Sequence, residues 1–210
     1  MKILIVDDHA IVRSGMISLL REHFSNLEFG ESANARKGFE MLSGSDWDLV
    51  IVDISMPGRS GLDLIQDIRD AKPEIPVLVV SAHPEKDYAV RALKLGASGY
   101  ISKQSASEIL VSAVKHVLSG GRYISPTLAE HLAGTLAAGG ELADGHEALS
   151  NRELQVLTMI ANGMTLKEIG AELALSAKTI ATYRARIAVK MGMDSKVELT
   201  RYAMRHGLIH

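Results

Sequence analysis

Five side chains that could carry charge or proton chemistry each stand where an apolar run gives out: Asp7, Asp8, Asp53, Ser81 and Lys103. Ile3-Leu4-Ile5-Val6 ends in Asp7-Asp8, and Leu49-Val50-Ile51-Val52 ends in Asp53 before Pro57-Gly58 breaks the backbone. Such runs read as strands of a parallel sheet buried on both faces. Ligands of these sheets collect at the carboxyl ends of the strands. If the first two runs are neighbours, three carboxylates meet there. Two like charges 4–5 Å apart repel by about 3–4 kcal/mol at an effective dielectric near 20, so a proton or a cation must relieve them. Grouped hard oxygens with room for water suit Mg2+. Taken singly, each Asp reads as a loop cap after a strand; taken together, they favour a metal site. Lys103 can neutralise a bound anion there, and Ser81 can donate to one of its oxygens.

The elements that must hold these residues alternate. After the first strand, Ile11, Met16, Leu19, Leu20 and Phe24 recur at helical spacing, and a weaker strand follows near 27–30. A helix through Ala35, Phe39 and Leu42 precedes the Asp53 strand, and Leu62, Ile65 and Ile68 mark the helix after it. Val77–Val80 is a fourth strand. Pro84 suits the start of the next helix, which runs through Val90, Leu93 and Leu95 to Gly96. Tyr100-Ile101 form a short fifth strand. Ser105 and Glu108 have capping-box spacing and open a helix through Leu110, Val114, Val117 and Leu118 that Gly120-Gly121 ends. Five βα units with right-handed crossovers predict an α/β, doubly wound, five-stranded parallel sheet over residues 1–119.

The chain has 210 residues, 47% of them hydrophobic, so packed domains are expected rather than disorder. It has no cysteine, which excludes disulfides and thiolate metal sites and fits a reducing cytoplasm. No apolar run approaches the roughly 18 residues that span a bilayer, and the start does not read as a signal peptide. The net charge of −2 is unevenly placed: residues 147–210 hold nine Lys and Arg against six acids, a balance of +3, leaving −5 on the rest. An acidic part joined to a basic tail predicts two domains, the second a candidate for nucleic acid.

Residues 120–145 read as a linker. Ser125-Pro126 starts one short helix lined by Leu128, Leu132 and Leu136, Gly139-Gly140 ends it, and 141–147 lack periodicity. The tail, residues 146–210, is punctuated by helix starts. Ser150 with Glu153 and Thr165 with Glu168 have capping-box spacing; Leu149 with Leu154 and Met164 with Ile169 have staple spacing. Ser176 caps a third helix after a tight turn near 173–176, and a fourth runs from about 194–195 to Arg205. This is a small all-α helix-turn-helix domain of four helices. On the third helix, Ile180, Tyr183, Ile187 and Met191 share an inward face. The opposite side carries Lys178, Ala181, Thr182, Arg184, Ala185 and Arg186, with Ser176 and Thr179 at its start. A basic face of small residues can enter a major groove, where Arg reads guanine. Lys167 and Lys190 are placed to hold phosphates.

Residues 1–119 resemble a response-regulator receiver domain of a two-component system. The resemblance rests on Asp7-Asp8, Asp53, Met56-Pro57-Gly58, Gly61, Ser81, Tyr100 and Lys103. It implies a flavodoxin-like fold with Asp53 as phosphoacceptor. It also implies Mg2+ held by Asp8, Asp53 and the Ser55 carbonyl, with Asp7 acting through water. Ser81 is then the switch hydroxyl, Tyr100 the switch aromatic and Lys103 the phosphate-binding lysine.

Residues 146–210 resemble the LuxR/FixJ-type DNA-binding domain through Leu149–Glu153, Lys167-Glu168-Ile169 and Ser176–Ile180. Receiver, linker and helix-turn-helix in that order resemble a NarL/FixJ-family response regulator. Thr182–Arg186 is similar to the GacA/UvrY and BvgA branch. Ala181 and Tyr183 depart from the Lys and His that many relatives carry, so reading shifts toward Arg184 and Arg186.

The resemblance implies a cytoplasmic transcription regulator, not an enzyme on a separate substrate, that catalyses its own phosphorylation from a sensor histidine kinase. It would then dimerise and bind double-stranded DNA, with no membrane partner. Two other readings remain. A haloacid-dehalogenase-type hydrolase would need a second Asp where this chain has Ser55. A regulator indifferent to phosphorylation would use the receiver only to bind protein.

Overall fold

Runs of Val, Ile and Leu with no polar alternation can be buried on both faces only if helices cover the sheet on each side. The computed structural model, which describes residues 1–83, 85–137 and 145–209, has that arrangement. Strands and helices alternate: β1 (Lys2–Val6), α1 (Ala10–His23), β2 (Glu28–Ser32), α2 (Ala35–Leu42), β3 (Leu49–Val52), α3 (Gly61–Ala71), β4 (Val77–Ser81), α4 (Glu85–Lys94), β5 (Gly99–Ser102) and α5 (Ala106–Leu118). The sheet is parallel with order β2-β1-β3-β4-β5. This is the doubly wound arrangement expected. The strand order reverses between β1 and β3, so the crevice at their carboxyl ends is the natural ligand position. Val6 pairs with Val52, and the Asp53 N–H donates to the Val6 carbonyl at 2.8 Å. Asp7 and Asp53 therefore leave adjacent strands at one level.

The core explains the register. Ile3, Ile5, Leu49, Ile51, Leu78 and Val80 are buried against Met16, Ile17 and Leu20 of α1 and Leu110, Val114 and Val117 of α5. Each such side chain contributes about 1.5–3 kcal/mol on burial, and slipping a strand by one residue would exchange its two faces. Gly61 is required at the start of α3. A Cβ there would lie 2.0 Å from the Asp53 carbonyl oxygen, so only glycine lets α3 start this close to the strand end.

Several local expectations change. Ile11 is 89% exposed. At 100° per residue it lies about half a turn from the stripe of Met16, Ile17 and Leu20. β2 begins at Glu28 and runs to Ser32, one to two residues beyond the expected segment. Ser105 precedes α5 but makes no capping hydrogen bond. Its φ of −101° and ψ of 1° leave the extended region that a capping side chain requires, and its hydroxyl donates instead to the Ser102 carbonyl. Pro84, the expected start of α4, and the expected helix end at Gly139-Gly140 lie outside the described residues.

The chain divides into two units, Met1–Leu132 and Ala133–His210. The division falls within α6 (Pro126–Ala137), the expected linker helix. Its start is anchored in the first unit. Tyr123 N–H donates to the Ser98 carbonyl, Ser125 Oγ donates to Glu85 at 2.7 Å and accepts from the Leu128 N–H, and Leu128 is buried.

In the second unit, residues expected to be tether form a 3-10 turn, Gly145–Ala148. The Tyr202 hydroxyl, 56 positions away in sequence, holds it by accepting from the His146 N–H at 3.1 Å and meeting His146 Nδ1 at 2.8 Å. Four helices follow: α7 (Asn151–Ala161), α8 (Leu166–Glu172), α9 (Ala177–Met191) and α10 (Lys196–Arg205). Ser150, Thr165 and Ser195 form complete capping boxes with Glu153, Glu168 and Glu198, and Ser176 caps α9. Among the described residues no helix is long and apolar enough to cross a membrane.

The contrast between two serines is testable. Ser150→Ala should lower stability by about 1 kcal/mol, whereas Ser105→Ala should leave the urea midpoint nearly unchanged. Equal shifts would contradict the capping geometry.

Candidate functional site

Asp7, Asp8 and Asp53 come together at the β1/β3 switch point, and Lys103 reaches them from beyond β5. Asp7 and Asp53 are buried, Asp53 to 2% exposure. Lys103 Nζ lies 2.8 Å from Asp53 Oδ2 and 2.7 Å from Asp7 Oδ2. The ladder sets that reach, because the Lys103 N–H donates to the Ser81 carbonyl at 2.8 Å. Asp53 Oδ1 accepts from the Ser55 N–H at 3.3 Å, as the loop after β3 folds back over the carboxylate.

Burial is the largest influence on Asp53 and pushes its pKa up. The hydrogen bond and charge of Lys103 pull it down, Asp7 pushes it up, and the net position is above the ordinary carboxylate value. For Lys103, burial works downward, but its hydrogen bonds to Asp53 and Asp7 outweigh it and hold the ammonium above its usual range. The lysine therefore stays charged between its two acids.

The donor set fits a hard divalent cation. One ligand atom each from Asp7, Asp8, His9 and Asp53 lies within 4.8 Å of every other. Asp7 Oδ2 and Asp8 Oδ1 are buried; the first lies beside the Lys103 ammonium and the second beside the His9 imidazole, and neither makes a well-aligned hydrogen bond. Buried carboxylate oxygens in that condition, grouped at a pocket rim, suit Mg2+.

The expected switch residues sit beside this pocket. Ser81 is buried, and its Oγ accepts from the His83 N–H at 3.3 Å. Tyr100 is wholly buried, and its hydroxyl donates to the His83 carbonyl at 2.8 Å and shares a hydrogen bond with Ser81. Burial drives the Tyr100 hydroxyl far above its usual pKa, so it remains a donor. Ser55 Oγ meets His83 Nε2 at 2.5 Å, and His83 stacks on Tyr88 with ring centroids 4.2 Å apart.

Two histidines here were not anticipated. His83 could be found only once the β3 and β4 loops were known to meet. His9 had a local signal, its position directly after Asp7-Asp8, that its residue type alone did not make conspicuous.

The second surface lies on α9. Ser176 Oγ accepts from the Thr179 N–H, and Ala174 at φ +53° makes the tight turn from α8. Gly170 allows that turn, since a Cβ there would stand 2.7 Å from the Leu175 carbonyl. Ile180 and Ile187 are fully buried, while Tyr183 and Met191 are only half-buried. Lys178, Ala181, Thr182, Arg184, Ala185 and Arg186 are exposed on the other side, and Lys167 is exposed on α8. Thr182 Oγ1 donates to the Lys178 carbonyl, and Arg184 reaches the Asp194 carbonyl at 3.4 Å. Lys190 Nζ lies 2.6 Å from Glu153 Oε2, an ion pair that ties α9 to α7.

Two family models match the chain. The response regulator receiver domain matches residues 3–115, and the bacterial regulatory proteins of the luxR family match residues 147–203. The chain is 35% identical over 208 residues to the response regulator GacA of Pseudomonas aeruginosa, covering 99% of this chain and 97% of that one. It is 34% identical over 206 residues to the response regulator UvrY of Escherichia coli K12, covering 98% and 94%. Among solved structures it is similar to RcsB of Salmonella enterica serovar Typhimurium bound to promoter rprA with the phosphomimetic BeF3−. That match has a TM-score of 0.67 and 27% identity, over 96% and 97% of the two chains. A structure of two RcsB dimers bound to two parallel DNAs matches with a TM-score of 0.61 and 26% identity, over 97% and 98%.

The Lys190–Glu153 pair has a pH signature. Burial raises Glu153, but the hydrogen bond from Lys190 and those from Ser150 win, leaving its pKa below the ordinary value. A group depressed in the folded state stabilises above its unfolded pKa, and that contribution is lost as pH falls through the folded one. Glu153→Gln should therefore destabilise the second unit at neutral pH, with the difference from the parent closing below the usual carboxylate range. Urea unfolding across pH checks this; a difference independent of pH would contradict it.

Proposed function

This chain belongs to the response regulators of two-component systems, a receiver domain followed by a luxR-family DNA-binding domain, and on that premise we propose that phosphorylation of Asp53 controls its binding to promoters. The supporting observation is the buried Asp53 carboxylate, with one oxygen on Lys103, the other on the Ser55 N–H, and two further acids beside it.

An Asp53 oxygen attacks the phosphorus of a phosphohistidine on the sensor kinase. A P–O bond forms as the P–N bond breaks, and the donor imidazole leaves with the electron pair. Asp8, Asp53 and the Ser55 carbonyl, with Asp7 through water, would hold Mg2+, which would supply positive charge to the phosphoryl oxygens. The engagement of Asp7 by Lys103 and His9 supports its indirect role. Lys103, already centred between the acids, follows the added charge. The chain thus catalyses its own modification and acts on no separate substrate.

The phosphate rewards a rearrangement that brings Ser81 Oγ to it. Doing so loosens the Ser81–Tyr100–His83 bonds that hold the start of α4. That change promotes a homodimer whose two α9 helices meet paired half-sites on double-stranded DNA. Arg184, Arg186, Thr182 and Lys178 face base edges; Lys167, Ser176 and Thr179 face the backbone. The promoter-bound and dimeric RcsB structures support this reading. The work belongs in the cytoplasm, where a kinase domain and DNA are both reached.

Intact-mass spectrometry after incubation with a small phosphodonor and Mg2+ should show one phosphoryl adduct, absent from Asp53→Asn; an undiminished adduct on that variant would refute the assignment. DNA binding should strengthen on phosphorylation and weaken steeply with salt, with a slope near 0.9 per phosphate contact. Lys167→Ala should reduce that slope by about 1, and salt-insensitive binding would overturn the proposed interface.

A further inference from the structure

Half a turn from its buried side, α9 carries a crest with little polar chemistry. At 100° per residue, Lys178, Thr182, Ala185 and Val189 fall within about 60° of one another, opposite Ile180 and Ile187. All four are exposed, Val189 to 84%. Arg184 and Arg186 lie to either side of this line, and Arg184 reaches away to the Asp194 carbonyl. Thr182 is polar by type, but its Oγ1 donates to the Lys178 carbonyl at 3.1 Å. Its proton is committed to the helix, which leaves the methyl as the group it offers a partner. Past Lys178, the crest therefore presents methyl groups. The luxR-family match, residues 147–203, contains the whole of α9.

Resting on the reading of α9 as the helix that enters the major groove, we propose that this crest reads thymine through its 5-methyl group, so that each half-site carries neighbouring thymines at its centre. The chemistry selects that base. In the major groove thymine alone presents a methyl; the other bases present amino groups, carbonyls and ring nitrogens. A methyl laid over such a polar atom displaces its water and returns no hydrogen bond. Laid over the thymine methyl, it buries apolar surface on both sides. The spacing agrees. Thr182 and Ala185 stand about 4.5 Å apart along the helix, close to the roughly 3.4 Å between base pairs, so they meet neighbouring steps. Val189 lies about 6 Å further on and extends the contact by one or two pairs. Lys178 and the two arginines supply the hydrogen-bonding readers around the crest.

The test uses the full-length protein, treated with a small phosphodonor, and duplexes of random sequence carried through rounds of selection. Selected half-sites should share neighbouring thymines at their centre. Remaking a selected duplex with deoxyuridine at those positions deletes the methyl groups and keeps every hydrogen-bonding atom. Binding should weaken about fourfold for each methyl removed. Thr182→Ser keeps the hydroxyl and removes only the methyl, so this variant should lose the preference for thymine over deoxyuridine at one position; Val189→Ala should reduce it at another. A deoxyuridine duplex bound as tightly as its parent, or a preference unchanged in both variants, overturns thymine reading while leaving α9 as the DNA-binding helix. Failure of the parent to enrich any sequence overturns both.

Discussion

The structure depends on one lysine placed between two buried acids. Lys103 neutralises enough of Asp7 and Asp53 for both to sit at the end of a sheet whose strands are otherwise wholly apolar. Without a counter-charge, two carboxylates so close would have to hold a proton. Burial raises Asp53, and Lys103 opposes that rise. The strand order maintains this arrangement. β1 and β3 must be neighbours for the acids to meet, and the backbone bond from Lys103 to Ser81 sets the reach of the ammonium.

Much of this was legible in the sequence because parallel strands announce themselves. Uninterrupted apolar runs such as Leu49–Val52 admit few alternatives, and the polar residue ending each run must lie at the ligand-binding rim. Helix starts in the second unit were legible for a similar reason. Ser150 and Glu153, or Thr165 and Glu168, satisfy one another within a single turn. What stayed hidden depends on partners distant in sequence or on backbone angles. Ser105 has the right neighbours for a cap but the wrong ψ. Gly145–Ala148 is ordered by Tyr202, and Lys190 is captured by Glu153 37 positions away. Neither has a local pattern. Ile11 belongs to an apolar helix by composition, yet its angle around that helix turns it outward.

The pocket and the loops above it form one connected arrangement. Ser55 meets His83, the His83 carbonyl takes the Tyr100 hydroxyl, and Tyr100 shares a bond with Ser81. Ser81 and Lys103 are joined through the backbone, and Lys103 returns to Asp53. These contacts form a ring that joins the Asp53 carboxylate to the loop leading into α4. The linker helix begins on that same helix, through Ser125 and Glu85.

The reciprocal caps of the second unit also bear on how fast each half acquires its shape. Helix boundaries at Ser150, Thr165 and Ser195 are decided by residues three positions apart, so little chain must be closed into loops first. The receiver sheet pairs β1 with β3 across some 46 residues, and parallel pairings of that span pay their loop entropy before any contact rewards it. The two halves therefore differ in the range of the contacts that define them: helix boundaries are decided within a turn, whereas the acidic pocket is built from strands far apart in the chain.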